Sequence, residues 1–332
     1  MPEMNHQILL VSRPTGPARA ENFRLAAVPL PALAEGEVRV RNHFLSLDPY
    51  MRGRMNDARS YAPPQRLGEV MQGGTVGVVV ESRNQAWQPG DKVLGMFGWQ
   101  EYGISDGTGM RKVDDTRVPL SAYLGAVGMP GVTAWYGLNR ICTPRAGETV
   151  AVSAASGAVG SVAGQLAKRH GCRAIGIAGG AQKCRYVVED LGFDACVDYK
   201  LGKLDAELDA AAPDGIDAYF DNVGGGVLDA VMQRMNAHGR IAVCGAIAGY
   251  DGAPLVMANP RLILISRLKM EGFIISEHMA EWPAALQELG ELVAAGELRF
   301  RESIALGLAS APEAFLGLLQ GRNFGKQLVK LV

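Results

Sequence analysis

The sequence lacks an excess of charge of either sign. Its 33 Lys and Arg residues are balanced by 34 Asp and Glu residues, which gives a formal net charge of −1 at pH 7. Proteins that hold nucleic-acid backbones or anionic lipid surfaces usually carry a basic excess. We therefore expect neither nucleic acid nor a membrane as a partner.

Close pairs of cysteine or histidine are also missing from the sequence. Zinc sites and disulfide frameworks need such pairs, whereas here the five cysteines and five histidines are scattered. We expect reduced thiols and no bound metal. The residues concerned are Cys142, Cys172, Cys184, Cys196, Cys244, His6, His43, His170, His238 and His278.

The N-terminal segment Met1–Leu10 has only a short apolar run, which resembles neither a signal-peptide core nor a transmembrane span. We expect a cytoplasmic protein. With 332 residues, 48% of them hydrophobic, the chain can bury a large core, and its length favours two domains over one.

The hydrophobic periodicity changes along the chain. Residues 1–124 contain short alternating segments broken by Gly and Pro, which indicates an antiparallel β domain. Residues 125–299 alternate apolar runs with helical patterns, which is typical of a doubly wound parallel sheet, and residues 300–332 return to strand character. We expect the tail to rejoin the first domain and a ligand to bind in the crevice between the domains. The strands predicted for the parallel sheet are Val150–Ser153, Ala174–Ile177, Ala195–Val197, Ala218–Asn222, Ile241–Cys244 and Met270–Ile275.

The strongest local signal is the run from Val150 to Gly160, in which a β segment leads into a glycine turn and a helix beginning near Ala158. Gly157 would let the backbone approach a pyrophosphate, and Gly160 would let the helix pack on its strand. The unpaired N–H groups of Ala158 and Val159 would then face the phosphates. Because Ala155 replaces the first glycine of the usual pattern, a glycine turn that merely packs a helix on a sheet is the alternative.

The end of the second predicted strand discriminates between nicotinamide cofactors. NAD-specific sites place Asp or Glu there to bind the ribose 2′-hydroxyl, whereas this chain has Ala178, Gly179 and Gly180. Small residues make room for a 2′-phosphate, and Lys183 can neutralise it. This favours NADPH; alternatively, Lys183 and Arg185 are ordinary surface charges that open a helix.

Five motifs occur in order along the chain: Leu47–Gly53, Gly128–Ala134, Ala154–Gly160, Asp221–Gly225 and Gly321–Lys326. Together they resemble the zinc-independent medium-chain dehydrogenase/reductase superfamily. Within it, the chain resembles the leukotriene B4 dehydrogenase/prostaglandin reductase family, and most of all its bacterial curcumin reductase type. The resemblance covers almost the whole chain. It implies an α/β fold with a GroES-like β-rich catalytic domain at 1–124, completed by 300–332, a Rossmann NADP-binding domain at 125–299, and a homodimer.

The resemblance also implies where ligands bind. Zinc-dependent relatives carry a Cys near Asp48 and a Gly-His-Glu element near residues 71–74, and both are missing here. Lys183 and Tyr199 are implied to contact the 2′-phosphate, and Gly157 to Gly160 the pyrophosphate. For Phe273 to Ile275, the alternative to a role in cofactor binding is that they simply form a buried strand. The residues implied to surround the nicotinamide are Met129, Thr133, Asn222, Cys244, Gly245, Ala246, Phe273, Ile274, Ile275 and Asn323.

The reaction implied by the resemblance is reduction of the carbon–carbon double bond of an α,β-unsaturated aldehyde or ketone. Hydride goes to the β-carbon, and the enolate oxygen needs a hydrogen-bond donor. Tyr250 and Tyr61 match tyrosines of curcumin reductases, although each could simply pack a loop. Animal prostaglandin reductases carry a further tyrosine near Leu262–Ser266, where this chain offers only Ser266, so the resemblance does not extend to eicosanoid specificity. Two other functions are compatible with the sequence: an NADPH:quinone oxidoreductase and a non-catalytic NADPH-binding sensor or structural protein.

Overall fold

The computed structural model describes residues 3–252 and 254–332, and the chain divides into two compact units. The first unit is built from both ends of the chain, Met1–Leu124 and Glu302–Val332. The second unit is the continuous segment Gly125–Arg301. In the described residues, no helix is both long and apolar enough to span a bilayer.

The strands are numbered in chain order. They are β1 (Met4–Leu10), β2 (Phe23–Pro29), β3 (Val38–Ser46), β4 (Thr75–Ser82), β5 (Lys92–Gly95), β6 (Tyr102–Ser105), β7 (Arg111–Lys112), β8 (Thr149–Ser153), β9 (Arg173–Ala178), β10 (Ala195–Asp198), β11 (Ile216–Asp221), β12 (Met235–Val243), β13 (Lys269–Gly272), β14 (Glu302–Leu306) and β15 (Lys326–Lys330).

The α-helices are numbered in the same way. They are α1 (Tyr50–Arg54), α2 (Met129–Tyr136), α3 (Gly160–Arg169), α4 (Ala181–Arg185), α5 (Leu204–Ala211), α6 (Gly225–Met232), α7 (Arg261–Ile265), α8 (Trp282–Ala294) and α9 (Ala311–Leu319).

The first unit is a β-rich domain. Its larger sheet has the order β14-β15-β3-β4-β5-β7, with β6 added beside β3, and β1 and β2 form a separate antiparallel pair. The chain tail enters this sheet because β15 pairs antiparallel with β3. Trp99 packs against Phe23 and Phe315, with ring centroids 5.7 and 5.5 Å away, so α9 of the tail contributes to the same core.

The described part of the second unit contains a six-stranded parallel sheet with the order β10-β9-β8-β11-β12-β13. Val150, Ala151 and Val152 on β8 are fully buried, as expected for a parallel strand covered on both faces. The strand order reverses between β8 and β11. Open α/β sheets bind ligands beside the carboxyl ends of the strands at such a reversal.

The sixth strand is shorter than the sequence predicts. The predicted strand Met270–Ile275 is wrong at its carboxyl end, because β13 stops at Gly272. Its pairing partner β12 stops at Val243, opposite Gly272, so no partner remains for the following backbone. Phe273, Ile274 and Ile275 therefore lie beyond the strand, and Ile275 begins a 3₁₀ turn.

Candidate functional site

The loop after β8 makes a tight turn that requires glycine at position 160 and leaves little room for a side chain at position 157. Gly157 N–H donates to Ala154 O at 2.9 Å. A Cβ atom at Gly160 would lie 2.4 Å from Ala154 O, and one at Gly157 would lie 3.1 Å from the same oxygen. The glycines thus let α3 start close against the end of the strand.

This turn presents backbone N–H groups at the start of α3. Within residues 3–252 and 254–332, the N–H groups of Ala158, Val159 and Gly160 donate to no protein acceptor. They stand at the positive end of a ten-residue helix. Unpaired amides together with the helix dipole form an anion site suited to a diphosphate.

The ends of β9 and β10 form a second polar cluster. A Cβ atom at Gly179 would lie 2.9 Å from both Tyr199 Oη and Lys200 Cε, so these two side chains lie directly against the glycine. Asp198 Oδ1 accepts from the Gly180 and Lys200 N–H groups at 2.8 and 3.0 Å, which fixes the two turns together. The structure thus brings Tyr199 to the turn that precedes Lys183.

Two lysine side chains, Lys183 and Lys200, contribute positive charge to this cluster. Burial, followed by repulsion from Lys200, lowers the pKa of Lys183. A dianionic group placed there would relieve the repulsion between the two cations, so a phosphate fits this cluster. Lys200 was not among the residues predicted from the sequence. The signal that could have found it is its position next to Tyr199, directly after β10.

A buried carboxylate organises the carboxyl end of β11. Asp221 Oδ1 accepts from Tyr219 Oη at 2.8 Å and from the N–H groups of Val223 and Gly224, each at 3.0 Å. Its carbonyl oxygen accepts from Cys244 N–H at 2.8 Å and from Gly245 N–H at 3.2 Å. The chain segments after β11 and β12 are therefore held side by side.

Asn222 connects the same region to β8. Its Nδ2 donates to Ser153 O at 2.7 Å, and its backbone N–H donates to Ser153 Oγ at 2.8 Å. The predicted residues Asn222, Cys244 and Gly245 thus lie together at the ends of three adjacent strands. Burial and the charge of Asp221 raise the pKa of Cys244 to about 12, so its thiol stays neutral near pH 7. This argues against a nucleophilic role for Cys244.

Of the other predicted residues in the second unit, Met129, Thr133 and Phe273 lie on or near α2. Thr133 Oγ1 donates to Met129 O at 2.7 Å, so both residues occupy one face of this helix. The ring of Phe273 lies 5.4 Å from that of Tyr136, at the end of the same helix. Tyr250 follows the turn Ile247–Gly249 and is half-buried.

Two predicted residues belong to the first unit. Tyr61 is 51% exposed, and its ring lies 4.8 Å from the guanidinium of Arg54. Asn323 lies in the segment between α9 and β15, and its Nδ2 donates to Gly325 O at 2.7 Å. The two residues lie in different segments of this unit, before and after the long insertion that forms the second unit.

The residues near Asp48 do not fit a metal ion. Lys326 Nζ lies 2.5 Å from Asp48 Oδ1 and donates to Leu47 O at 2.9 Å. Both side chains of this ion pair are buried, so the lysine already neutralises the one carboxylate at this position. Across the described residues, no group of three or more His, Cys, Asp or Glu side chains is placed to hold a metal.

Comparison with known proteins identifies the family. Models described as the N-terminal domain of oxidoreductase and as zinc-binding dehydrogenase match residues 6–113 and 158–291. The NADPH-dependent curcumin reductase of Escherichia coli is 45% identical over 99% of this chain and 97% of its own length. The chain belongs to the prostaglandin and curcumin reductase family of medium-chain dehydrogenases/reductases. Another family member, the 2-alkenal reductase (NADP(+)-dependent) of Nicotiana tabacum, is 42% identical over 98% of this chain and 97% of its own length.

A solved structure in the reductase family supports the same assignment. CurA from Vibrio vulnificus, in complex with NADPH, superimposes with a TM-score of 0.94 at 45% identity, covering 98% of this chain and 99% of that chain. The predicted fold class, a Rossmann doubly wound sheet plus a GroES-like β-rich domain, is confirmed.

Proposed function

We propose that this reductase uses NADPH to saturate the carbon–carbon double bond of α,β-unsaturated aldehydes and ketones. The observation that carries the proposal is the similarity, over nearly the whole chain, to a protein named NADPH-dependent curcumin reductase. The tobacco relative is named for 2-alkenals and for NADP(+). The polar cluster at Lys183, Tyr199 and Lys200 supports the same cofactor, because it offers cations where an NAD site offers a carboxylate.

The residues of the second unit suit an extended dinucleotide. We assign the diphosphate to the amides of Ala158, Val159 and Gly160, and the 2′-phosphate to Lys183, Tyr199 and Lys200. The bound nicotinamide supplies a hydride to the β-carbon of the substrate. Asp221 holds the loops after β11 and β12 together on the nicotinamide side. The side chains and backbone assigned to the nicotinamide are those of Met129, Thr133, Asn222, Cys244, Gly245, Ala246, Phe273, Ile274, Ile275 and Asn323.

Negative charge develops on the substrate carbonyl oxygen as hydride arrives, and the α-carbon then takes a proton. We assign the stabilisation of this enolate to the phenol groups of Tyr250 and Tyr61. A phenol O–H group can donate a hydrogen bond to an enolate oxygen. The chain thus provides the donors that a metal provides in zinc-dependent relatives.

The proposal is tested by following NADPH absorbance with a linear enal, an aryl enone and a quinone, with NADH as the control cofactor. We expect oxidation of NADPH with the enal and the enone, and much slower oxidation of NADH. Turnover with the quinone alone would instead assign the chain to the quinone oxidoreductases. Tight NADPH binding without turnover of any acceptor would assign it to the non-catalytic NADPH-binding proteins.

We propose a homodimer that pairs the β13 edges of two copies. Among the described residues, β13 is the last strand of its sheet, so its outer edge can hydrogen-bond to a strand of another copy. The neighbouring helix α7 exposes Leu264 (75%) and Ile265 (50%), which supports an apolar interface there. We expect Leu264→Asp to yield a monomer in analytical ultracentrifugation. Leu306→Asp, on the edge strand β14 and 74% exposed, is the matched control and should leave the dimer intact. A Leu264→Asp variant that still sediments as a dimer would rule out this interface.

We place the enzyme in the cytoplasm. Its five cysteines are free thiols, as in proteins of reducing compartments. Cell fractionation tests this placement, and recovery of the protein outside the cytoplasmic fraction would contradict it.

A further inference from the structure

Tyr61 lies in a loop, residues 57–64, that is fixed mainly at its base. Gln65 N–H donates to Arg54 O at 2.7 Å, which closes the loop. Gln65 is itself buried, and its Oε1 accepts from Gln72 N–H at 3.0 Å. Inside the loop, in contrast, Tyr61 is half exposed to solvent. The position of the Tyr61 ring therefore depends on contacts other than those that close the loop at Gln65.

Arg54 provides those contacts. Its guanidinium lies 4.8 Å from the centroid of the Tyr61 ring and 5.8 Å from that of the Tyr50 ring. Its Nη1 also donates to Pro63 O at 3.1 Å. One side chain thus contacts the Tyr61 ring and the backbone two residues further along the same loop.

The hydroxyl group of Tyr61 remains available. Among the residues that the structure describes, no hydrogen bond involves Tyr61 Oη, whereas Tyr102 and Tyr123 donate to Glu3 Oε1 at 2.7 Å and to Asp114 O at 2.5 Å. The contact between the Arg54 guanidinium and the face of the Tyr61 ring therefore sets the orientation of the ring. The hydroxyl group of Tyr61 can then donate a hydrogen bond to another molecule. This arrangement suits a side chain that donates to a substrate.

We propose that Arg54 is a positioning residue that acts through Tyr61. Held by the guanidinium, the phenol is aligned for donation to the enolate before substrate binds. The proposal rests on the proposed function, because it needs an enolate to stabilise. Arginine suits this role better than lysine, since its planar group can stack on a ring while it donates to a carbonyl. Without it, Tyr61 would lose orientation that must be regained in every catalytic cycle.

The test is a double-mutant cycle with Arg54→Ala, Tyr61→Phe and both together, measured as kcat/KM for an aryl enone at saturating NADPH. We expect Arg54→Ala to lower kcat/KM about 3- to 10-fold, in line with one exposed cation–π contact and one hydrogen bond. In the Tyr61→Phe background, Arg54→Ala should lower kcat/KM by less than about 2-fold, because the hydroxyl group that Arg54 positions is no longer present. The KM for NADPH should not change. Arg54→Lys should fall between the wild type and Arg54→Ala.

A matched control separates this effect from a general loss of a cation–π contact. Arg111 lies 5.8 Å from the Tyr123 ring in the same unit, and Arg111→Ala, which removes that contact, should leave kcat/KM unchanged. An Arg54→Ala enzyme with the wild-type kcat/KM would overturn the proposal. So would an equal loss in the Tyr61→Phe background, since Arg54 would then act independently of Tyr61.

A second readout does not depend on activity. Trypsin cuts after arginine, and Arg59 lies in this loop. We expect faster cleavage after Arg59 in Arg54→Ala than in the wild type. Unchanged cleavage would show that Arg54 does not hold the loop 57–64 in place. If the wild-type protein reduces no enone but Arg54→Ala is still cleaved faster, the proposed function fails, whereas the contact of Arg54 with the loop 57–64 is supported.

Discussion

Replacing both Lys183 and Lys200 by glutamate should weaken NADPH binding by about 100-fold or more and leave NADH affinity within about 3-fold. Burial and the charge of Lys200 lower the pKa of Lys183, which indicates that both positive charges act at this turn and would both attract a 2′-phosphate. The variant replaces that attraction with the repulsion of two carboxylates. Only the cofactor with a 2′-phosphate experiences the difference. The dissociation constants can be measured by titrating the quenching of protein fluorescence with each reduced cofactor.

Lys203→Glu is the matched control for this experiment. Lys203 carries the same charge, is exposed and lies three residues beyond Lys200, next to α5. It should change NADPH affinity only by the weak long-range effect of one surface charge, which salt screens. Equal losses for NADPH and NADH in the double variant would point to damage of the fold. No loss for either cofactor would mean that the 2′-phosphate binds elsewhere.

The parallel sheet could be predicted from the sequence because its strands are buried on both faces and therefore form continuous apolar runs. The same rule fails at the end of β13. Phe273 is as apolar as a strand residue and is buried, but the packing that buries it includes the rings of Phe220 and Tyr136. Burial explains the apolar run, whereas strand pairing ends with β12 at Val243. The residue at which the partner strand ends cannot be read from the apolar pattern of a single sequence.

The candidate site divides in the same way. The glycine loop is local, so the residues around Gly157 and Gly160 could be identified from their order alone. The charge of Lys200 acts on Lys183 because β10 pairs with β9 in a register that sets Asp198 opposite Ala178. The stacking of Arg54 on Tyr61 joins residues seven positions apart across a loop whose course has no periodic signal. Both pairs are brought together by the tertiary structure, and no sequence motif predicts either of them.

Tyr250→Phe should lower kcat for an aryl enone by about 100-fold, the usual contribution of one donor to an oxyanion or of general acid catalysis. The substitution removes one oxygen and keeps the ring, so the turn at Ile247–Gly249 and the backbone hydrogen bond from Tyr250 N–H to Ile247 O at 3.3 Å should persist. The dissociation constant for NADPH should stay within about 2-fold, since the role proposed for this hydroxyl group is in the transition state and not in cofactor binding.

The effect on kcat must be distinguished from a general effect of losing a phenol. Tyr102→Phe removes a hydroxyl that donates to Glu3 Oε1 at 2.7 Å in the first unit, and it should leave kcat unchanged. A Tyr250→Phe enzyme with the wild-type kcat would remove Tyr250 from the mechanism and leave Tyr61 as the assigned donor. If both tyrosines donate to one enolate, the double variant should lose less than the product of the two single effects, because residues that act as a unit are not additive. If they act at separate steps, the larger effect should mask the smaller in kcat, and single-turnover rates would resolve the two.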